Sequence, residues 1–105
     1  MEFKLNQDAN AEGTSLKGYI TAPTKRLIEL FGDISDDSGY GKSLFEWVFE
    51  GKQGTVFTLY DYKVADIYDG DGLTKQEMLN TDIRWHIGGN RNCEEFSDWL
   101  ASKLD

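Results

Sequence analysis

The sequence predicts an α+β fold in which a small antiparallel sheet of about four strands carries two helices on one face. In residues 44–50, aromatic side chains occupy every second position, which is the period of a strand. In residues 93–104, apolar side chains instead recur at the spacing of one helix face. Short clusters rich in glycine separate these segments and indicate turns.

The predicted elements follow in the order β-α-β-β-β-α. Residues 16–22 form the first strand, and Pro23 occupies the first position of a helix. The apolar stripe of that helix continues to Phe31, and Gly32 ends it. Residues 33–43 form an acidic loop.

A hairpin and a last strand–helix pair complete the predicted fold. The hairpin joins residues 44–50 to residues 55–62 through a turn that contains Gly51 and Gly54. Residues 65–72 form a second acidic loop, and residues 75–79 form a helical turn. The last strand alternates Ile83, Trp85 and Ile87 with polar residues, and the best helix follows it. We expect one core to which Phe45 or Phe49 contributes together with Trp47, Trp85, Phe96 and Trp99.

The chain has the size of a single domain, with 105 residues. We expect residues 1–15 to be a mobile polar lead-in, in which Phe3 and Leu5 could form an edge strand, and residues 16–105 to be the α+β domain. A single cysteine, Cys93, excludes an internal disulfide framework and a multi-cysteine metal site. The N-terminus lacks the pattern of a signal peptide, and no apolar run is long enough to span a bilayer, which favours the cytoplasm.

The net charge of −8 is concentrated in the middle of the chain. Residues 29–82 alone carry −8, whereas residues 1–28 carry +1 and residues 83–105 carry −1. Such a field repels nucleic acid and anionic membranes and attracts basic protein surfaces. A net charge of this size also keeps a small domain soluble, which is the alternative explanation.

No motif in the sequence predicts an enzyme, a metal site or a cofactor. A Gly-Asp-Gly tract lies in a group of four acidic residues, Asp66, Asp69, Asp71 and Glu77, but neither glycine places ligands at the offsets of a calcium-binding loop. His86 is the one histidine and shares a strand face with Arg84, so any acid–base chemistry would run through this pair or through a perturbed carboxylate. A histidine packed on the sheet is the simpler interpretation.

Two further patterns suggest binding. Residues 88–92 connect a strand to a helix, and their backbone amides could hold an anion, with charge supplied by Arg91. In the alternative interpretation this is a tight turn. Tyr60 and Tyr62 lie on one face of their strand, where they suit either protein recognition or core packing.

Several short motifs resemble those of small uncharacterised proteins encoded by bacteriophages and other mobile elements. The similarity spans residues 16–89 and includes an LxGxI strand, Phe31-Gly32 and Lys42. It also includes Glu46-Trp47, YDYK at residues 60–63 and WHIGG at residues 85–89, of which the last two are the most specific. The resemblance implies a role in phage biology or genetic conflict and brings no catalytic residues.

We therefore expect a non-enzymatic inhibitor in the host cytoplasm that occupies a basic, nucleic-acid-binding surface of a host nuclease or defence complex. We expect it to need no cofactor and to bind neither nucleic acid nor membrane. The sequence is compatible with a homodimer. The expected partner-binding residues are Asp33, Asp36, Asp37, Glu46, Glu50, Tyr60, Tyr62, Asp66, Asp69 and Asp71. The alternative is a small-ligand module that binds an anion or nucleotide through Arg84, His86, Gly88, Gly89 and Arg91.

Overall fold

The computed structural model describes residues 3–35, 44–62 and 72–104, which form one five-stranded antiparallel sheet and three helices. The strands are Lys4–Leu5 (β1), Ser15–Pro23 (β2), Glu46–Glu50 (β3), Val56–Tyr60 (β4) and Asp82–Gly89 (β5). The helices are Thr24–Phe31 (α1), Lys75–Leu79 (α2) and Glu94–Leu104 (α3). The predicted α+β class is confirmed. The helical turn predicted at residues 75–79 is α2, and the edge-strand alternative near Phe3 and Leu5 is β1.

The strands lie side by side in the order β1-β3-β4-β5-β2, so β1 and β2 form the two edges of the sheet. The predicted hairpin is present as β3 and β4, with Glu46 opposite Tyr60. Its turn contains two residues with positive φ, Gln53 at 56° and Gly54 at 75°. Glycine adopts such a backbone without steric cost, which explains its place in this turn.

All three helices pack on the same face of the sheet. Leu27 of α1, Met78 of α2 and Leu100 of α3 are fully buried in one cluster with alternate side chains of the central strands. The largest members of that cluster are Phe45, Trp47, Phe49, Phe57, Trp85 and Phe96. The predicted core is therefore confirmed, and Trp99 packs against it partly buried. No helix in the described part of the chain has the length and apolar character needed to cross a membrane.

The ends of α1 differ slightly from the prediction. Pro23 is extended, with φ −72° and ψ 141°, and serves as the N-cap, so the helix begins at Thr24 rather than at Pro23. The C-terminal prediction is correct, because the helix ends at Phe31. Gly32 has a φ of 91°, and its N–H donates to the carbonyl of Ile28 at 2.8 Å.

Residues 3–7 add an edge to the sheet, as the edge-strand alternative proposed. Phe3 is 7% exposed and packs edge-on against Phe96, with ring centroids 5.2 Å apart. After β1 ends, the side chain of Gln7 makes the next hydrogen bonds to the backbone of β3. Its Oε1 accepts from the Val48 N–H at 2.7 Å, and its Nε2 donates to the Glu46 carbonyl at 2.9 Å. The N-terminal residues thus share the core of the α+β domain.

Candidate functional site

The face of the sheet opposite the helices carries an aromatic and charged surface. One row of side chains crosses four strands, because Glu46 lies opposite Tyr60, Tyr60 opposite His86, and His86 opposite Tyr19. Arg84 lies on β5, two residues before His86, and Tyr62 lies two residues after Tyr60, just beyond the end of β4. Both belong to the same face as this row. We call this set the tyrosine face: Tyr19, Glu46, Tyr60, Tyr62, Arg84 and His86.

The imidazole of His86 lies at the centre of this surface. Its ring centroid is 5.0 Å from that of Tyr19, 5.4 Å from that of Tyr60 and 5.5 Å from that of Tyr62. The rings of Tyr60 and Tyr62 are 6.4 Å apart and nearly perpendicular, at 85°. These distances are typical of attractive aromatic pairs, so each ring helps to fix the orientation of the next.

The surroundings of His86 disfavour its charged form. Burial lowers its pKa, and the charge of Arg84 lowers it further. Arg84 itself stacks on Tyr19, with its guanidinium carbon 4.2 Å from the ring centroid. Among the described residues, the buried Nδ1 of His86 has no hydrogen-bond partner. A catalytic histidine is normally oriented by a hydrogen bond at its second ring nitrogen, so the enzyme hypothesis through His86 and Arg84 gains no support here.

Glu46 makes one corner of the tyrosine face negative and partly dehydrated. Although the residue is exposed overall, partial burial raises the pKa of its carboxyl group. Burial also raises the pKa of Tyr60, and the nearby charge of Glu46 is the next contribution. The carboxylate and the phenol ring are therefore close enough to sense each other electrostatically.

The structure describes five of the ten predicted partner-binding residues. Glu46, Tyr60 and Tyr62 come together in the tyrosine face, and Glu50 lies exposed at the far end of β3. Asp33 is separate from them. Its carboxylate is 3.0 Å from the Lys75 ammonium, and hydrogen bonds from Ser35 and Lys75 lower its pKa. The other five predicted residues lie outside the described part of the chain: Asp36, Asp37, Asp66, Asp69 and Asp71.

The residues of the alternative anion site lie apart. Arg84 is stacked on Tyr19, whereas Arg91 follows the opposite end of β5. The surface depression at Arg91 is also lined by Glu94 and Glu95, which oppose an anion. The glycines belong to β5 rather than to a turn, and both are buried. A Cβ on Gly88 would lie 2.5 Å from the Thr58 hydroxyl oxygen, so close packing explains this glycine.

Gly89 gives a test of this packing explanation. A Cβ at residue 89 would lie 2.5 Å from Cδ1 of Phe57, whose ring is stacked on Phe96 at 4.8 Å. We expect Gly89→Ala to lower the free energy of unfolding by about 1–3 kcal/mol, measured by urea denaturation. Ser15→Ala, at the exposed residue opposite Gly89, is the control and should change it by less than about 0.5 kcal/mol. Equal midpoints for Gly89→Ala and the parent would contradict the close packing.

Asp61 is a buried functional group that sequence reasoning missed. Its side chain is 0% exposed, and its carboxylate accepts the N–H groups of Phe45 at 2.8 Å and Leu44 at 3.2 Å. Burial raises its pKa to about 6, although these hydrogen bonds act in the opposite direction. One signal was available in the sequence, since Asp61 continues the alternation of the inward residues Phe57 and Leu59.

The described residues contain no candidate metal site. Within residues 3–35, 44–62 and 72–104, no three His, Cys, Asp or Glu side chains lie close enough to share a metal ion. Cys93 instead donates its thiol to the carbonyl of Lys17 at 3.5 Å. Gly70 and Asp71 of the Gly-Asp-Gly tract lie outside these residues, so the absence of a metal site there stays a prediction.

Comparison with known proteins leaves the function open. No protein-family model matches the chain, and a search of curated proteins finds no match. The resemblance to phage-encoded proteins therefore stays a prediction.

Proposed function

We propose that this protein is a non-enzymatic binding module that recognises a basic protein surface through its tyrosine face. One observation carries the proposal. The large hydrophobic side chains that are exposed in the described residues all lie on the open face of the sheet: Leu16 at 48%, Tyr19 at 45% and Tyr62 at 37%. Exposed apolar area gathered on one surface marks an interaction site, and tyrosine is among the residues that dominate binding energies.

The charge distribution supports a basic partner. Asp61, which follows β4, accepts hydrogen bonds from the N–H groups of Leu44 and Phe45, which precede β3. Most of the acidic residues in the middle of the sequence belong to the stretches before Leu44 and after Tyr62. Tyr60 and Tyr62 lie at this same end of the hairpin. An approaching basic surface would be attracted by the acidic segments and would then bury the tyrosine rings.

The partner class that best matches these features is a nuclease or defence protein with a nucleic-acid-binding groove. Such grooves present arginine and lysine at phosphate spacing, and carboxylates can take the place of the phosphates. The resemblance to phage-encoded proteins supports the same class. In this proposal the protein inhibits its partner by occupying the groove and competes directly with nucleic acid.

The proposal is tested by isolating the partner from host lysate and measuring its binding kinetics with variants. Tyr60→Ala and Tyr62→Ala should each weaken binding about tenfold, mainly through faster dissociation. Replacing Asp66, Asp69 and Asp71 by asparagine should slow association, and salt should slow it in the parent, because exposed charges are screened within about 8 Å at physiological ionic strength.

A matched variant controls for charge. Glu94, Glu95 and Asp98 are exposed on α3, behind the sheet, and their replacement by Gln, Gln and Asn should leave the kinetics unchanged. If the tyrosine variants bind as the parent does, the tyrosine face is not the contact surface. If all acidic variants bind alike, the charge serves solubility and the basic-partner proposal fails.

A further inference from the structure

The corner of the tyrosine face formed by Glu46, Tyr60 and Tyr62 has the components of a cation site. Glu46 and Tyr60 lie directly opposite each other on neighbouring strands, where side chains on one face contact. The Tyr62 ring stands nearly perpendicular to the Tyr60 ring. Two aromatic walls and a carboxylate thus border one patch of surface. The electron-rich faces of such rings attract cations.

We propose that this corner binds the guanidinium group of one arginine on the basic partner, an inference that rests on the proposed function of the tyrosine face. The same surface already holds a guanidinium elsewhere. Arg84 lies over Tyr19 with its guanidinium carbon 4.2 Å from the ring centroid. The row that leads from Tyr19 through His86 to Tyr60 has a tyrosine at its other end as well. There the charged neighbour of the tyrosine is the carboxylate of Glu46 and not a guanidinium.

The charge of Glu46 is not neutralised within the described residues. The salt bridges there join Arg26 to Glu29 and Lys75 to Asp33, and neither reaches Glu46. A carboxylate that is partly dehydrated beside an aromatic ring gains more from a cation than a fully hydrated one does. The corner therefore complements a basic side chain in charge.

Arginine suits this corner better than lysine. Its guanidinium is planar and weakly hydrated, so it can stack on a tyrosine ring while its N–H groups face a carboxylate. A lysine ammonium is compact and strongly hydrated, and it cannot do both at once. We therefore expect selection for arginine beyond the effect of charge alone.

The single histidine of the chain makes the test direct. Its imidazole proton signals can be assigned without ambiguity, and the contacts of His86 with Tyr60 and Tyr62 make these signals sensitive to ring movements at this corner. The probe is acetyl-Gly-Arg-Gly-amide, titrated into the full chain and followed by NMR. We expect saturable shifts of the His86 signals with the arginine peptide and none with the citrulline peptide, which has the same shape without the charge. The lysine peptide should bind more weakly.

Two variants on one strand locate the site. Glu46→Gln should weaken arginine-peptide binding about two- to fivefold, as expected for removal of one exposed ion pair. Glu50→Gln removes the same charge from the far end of β3 and should leave binding unchanged. Unmoved His86 signals would overturn the inference, and so would equal binding of the lysine peptide or equal effects of the two variants. None of these outcomes bears on the partner kinetics of the tyrosine variants, so the proposed function is tested separately.

Discussion

Replacing Trp85 by alanine is expected to lower the free energy of unfolding by about 4 kcal/mol, one of the two largest single-residue effects that we predict. Trp85 is 0% exposed, and its ring contacts those of Trp47 at 5.5 Å and Phe45 at 6.2 Å. Its removal leaves a cavity at the centre of the core. Because small domains are stable by only about 5–15 kcal/mol, thermal and urea denaturation should show the loss clearly.

Trp85→Phe separates packing from hydrogen bonding. The indole N–H of Trp85 donates to the Ala22 carbonyl at 3.0 Å and joins β5 to β2 on the core side. Phenylalanine keeps most of the ring volume and loses this bond, so we expect a cost of about 1–2 kcal/mol. If alanine and phenylalanine are equally destabilising, the hydrogen bond rather than the ring volume dominates, and the cavity argument is wrong.

Asp61→Ala is expected to lower the free energy of unfolding by about 3 kcal/mol. The substitution leaves the buried N–H groups of Leu44 and Phe45 without their acceptor, and each such group costs about 1–3 kcal/mol. Asp33→Ala, at an exposed carboxylate with one ion pair, is the control and should cost less than about 1 kcal/mol. Similar costs for the two variants in urea denaturation would show that Asp61 does not anchor the hairpin.

The same carboxylate should make stability depend on pH. Because the pKa of Asp61 rises from 3.8 to about 6 on folding, the folded state binds its proton more tightly than the unfolded state does. The stabilising contribution of that proton is complete below about pH 4 and is lost as the pH rises through about 6. The stability of the parent relative to Asp61→Asn, which cannot titrate, should therefore fall across this range. A constant difference would contradict the raised pKa.

Local patterns predicted most of the fold correctly. The aromatic residues at every second position before the turn correctly predicted β3, and the alternation of Ile83, Trp85 and Ile87 correctly predicted β5. The alternation is present because the core covers only one side of each strand. The stripe that includes Phe96 and Leu100 gave α3 for the same reason. These signals are strong where a buried and an exposed face alternate within one element.

The pairing of distant elements could not be predicted in this way. An edge strand near Phe3 and Leu5 was one alternative from the sequence, but its pairing with β3, more than forty residues later in the chain, could not be predicted. The tyrosine face likewise depends on the register between four strands, which brings Tyr19 and His86 together. The sequence placed Tyr60 and Tyr62 on one face but could not choose between the core and the open side. That choice depends on which side the helices cover.

The position of β2 at an edge has a consequence for synthesis of the chain. Its partner β5 lies 63 residues later, measured from Ala22 to Trp85, so a ribosome needs roughly 3–13 s to deliver it. During that interval the nine residues of β2 have no native neighbour to pair with. Lys17 and the terminal Pro23 are features that discourage pairing with other chains. These residues reduce the tendency of the nascent strand to aggregate before β5 is available for pairing.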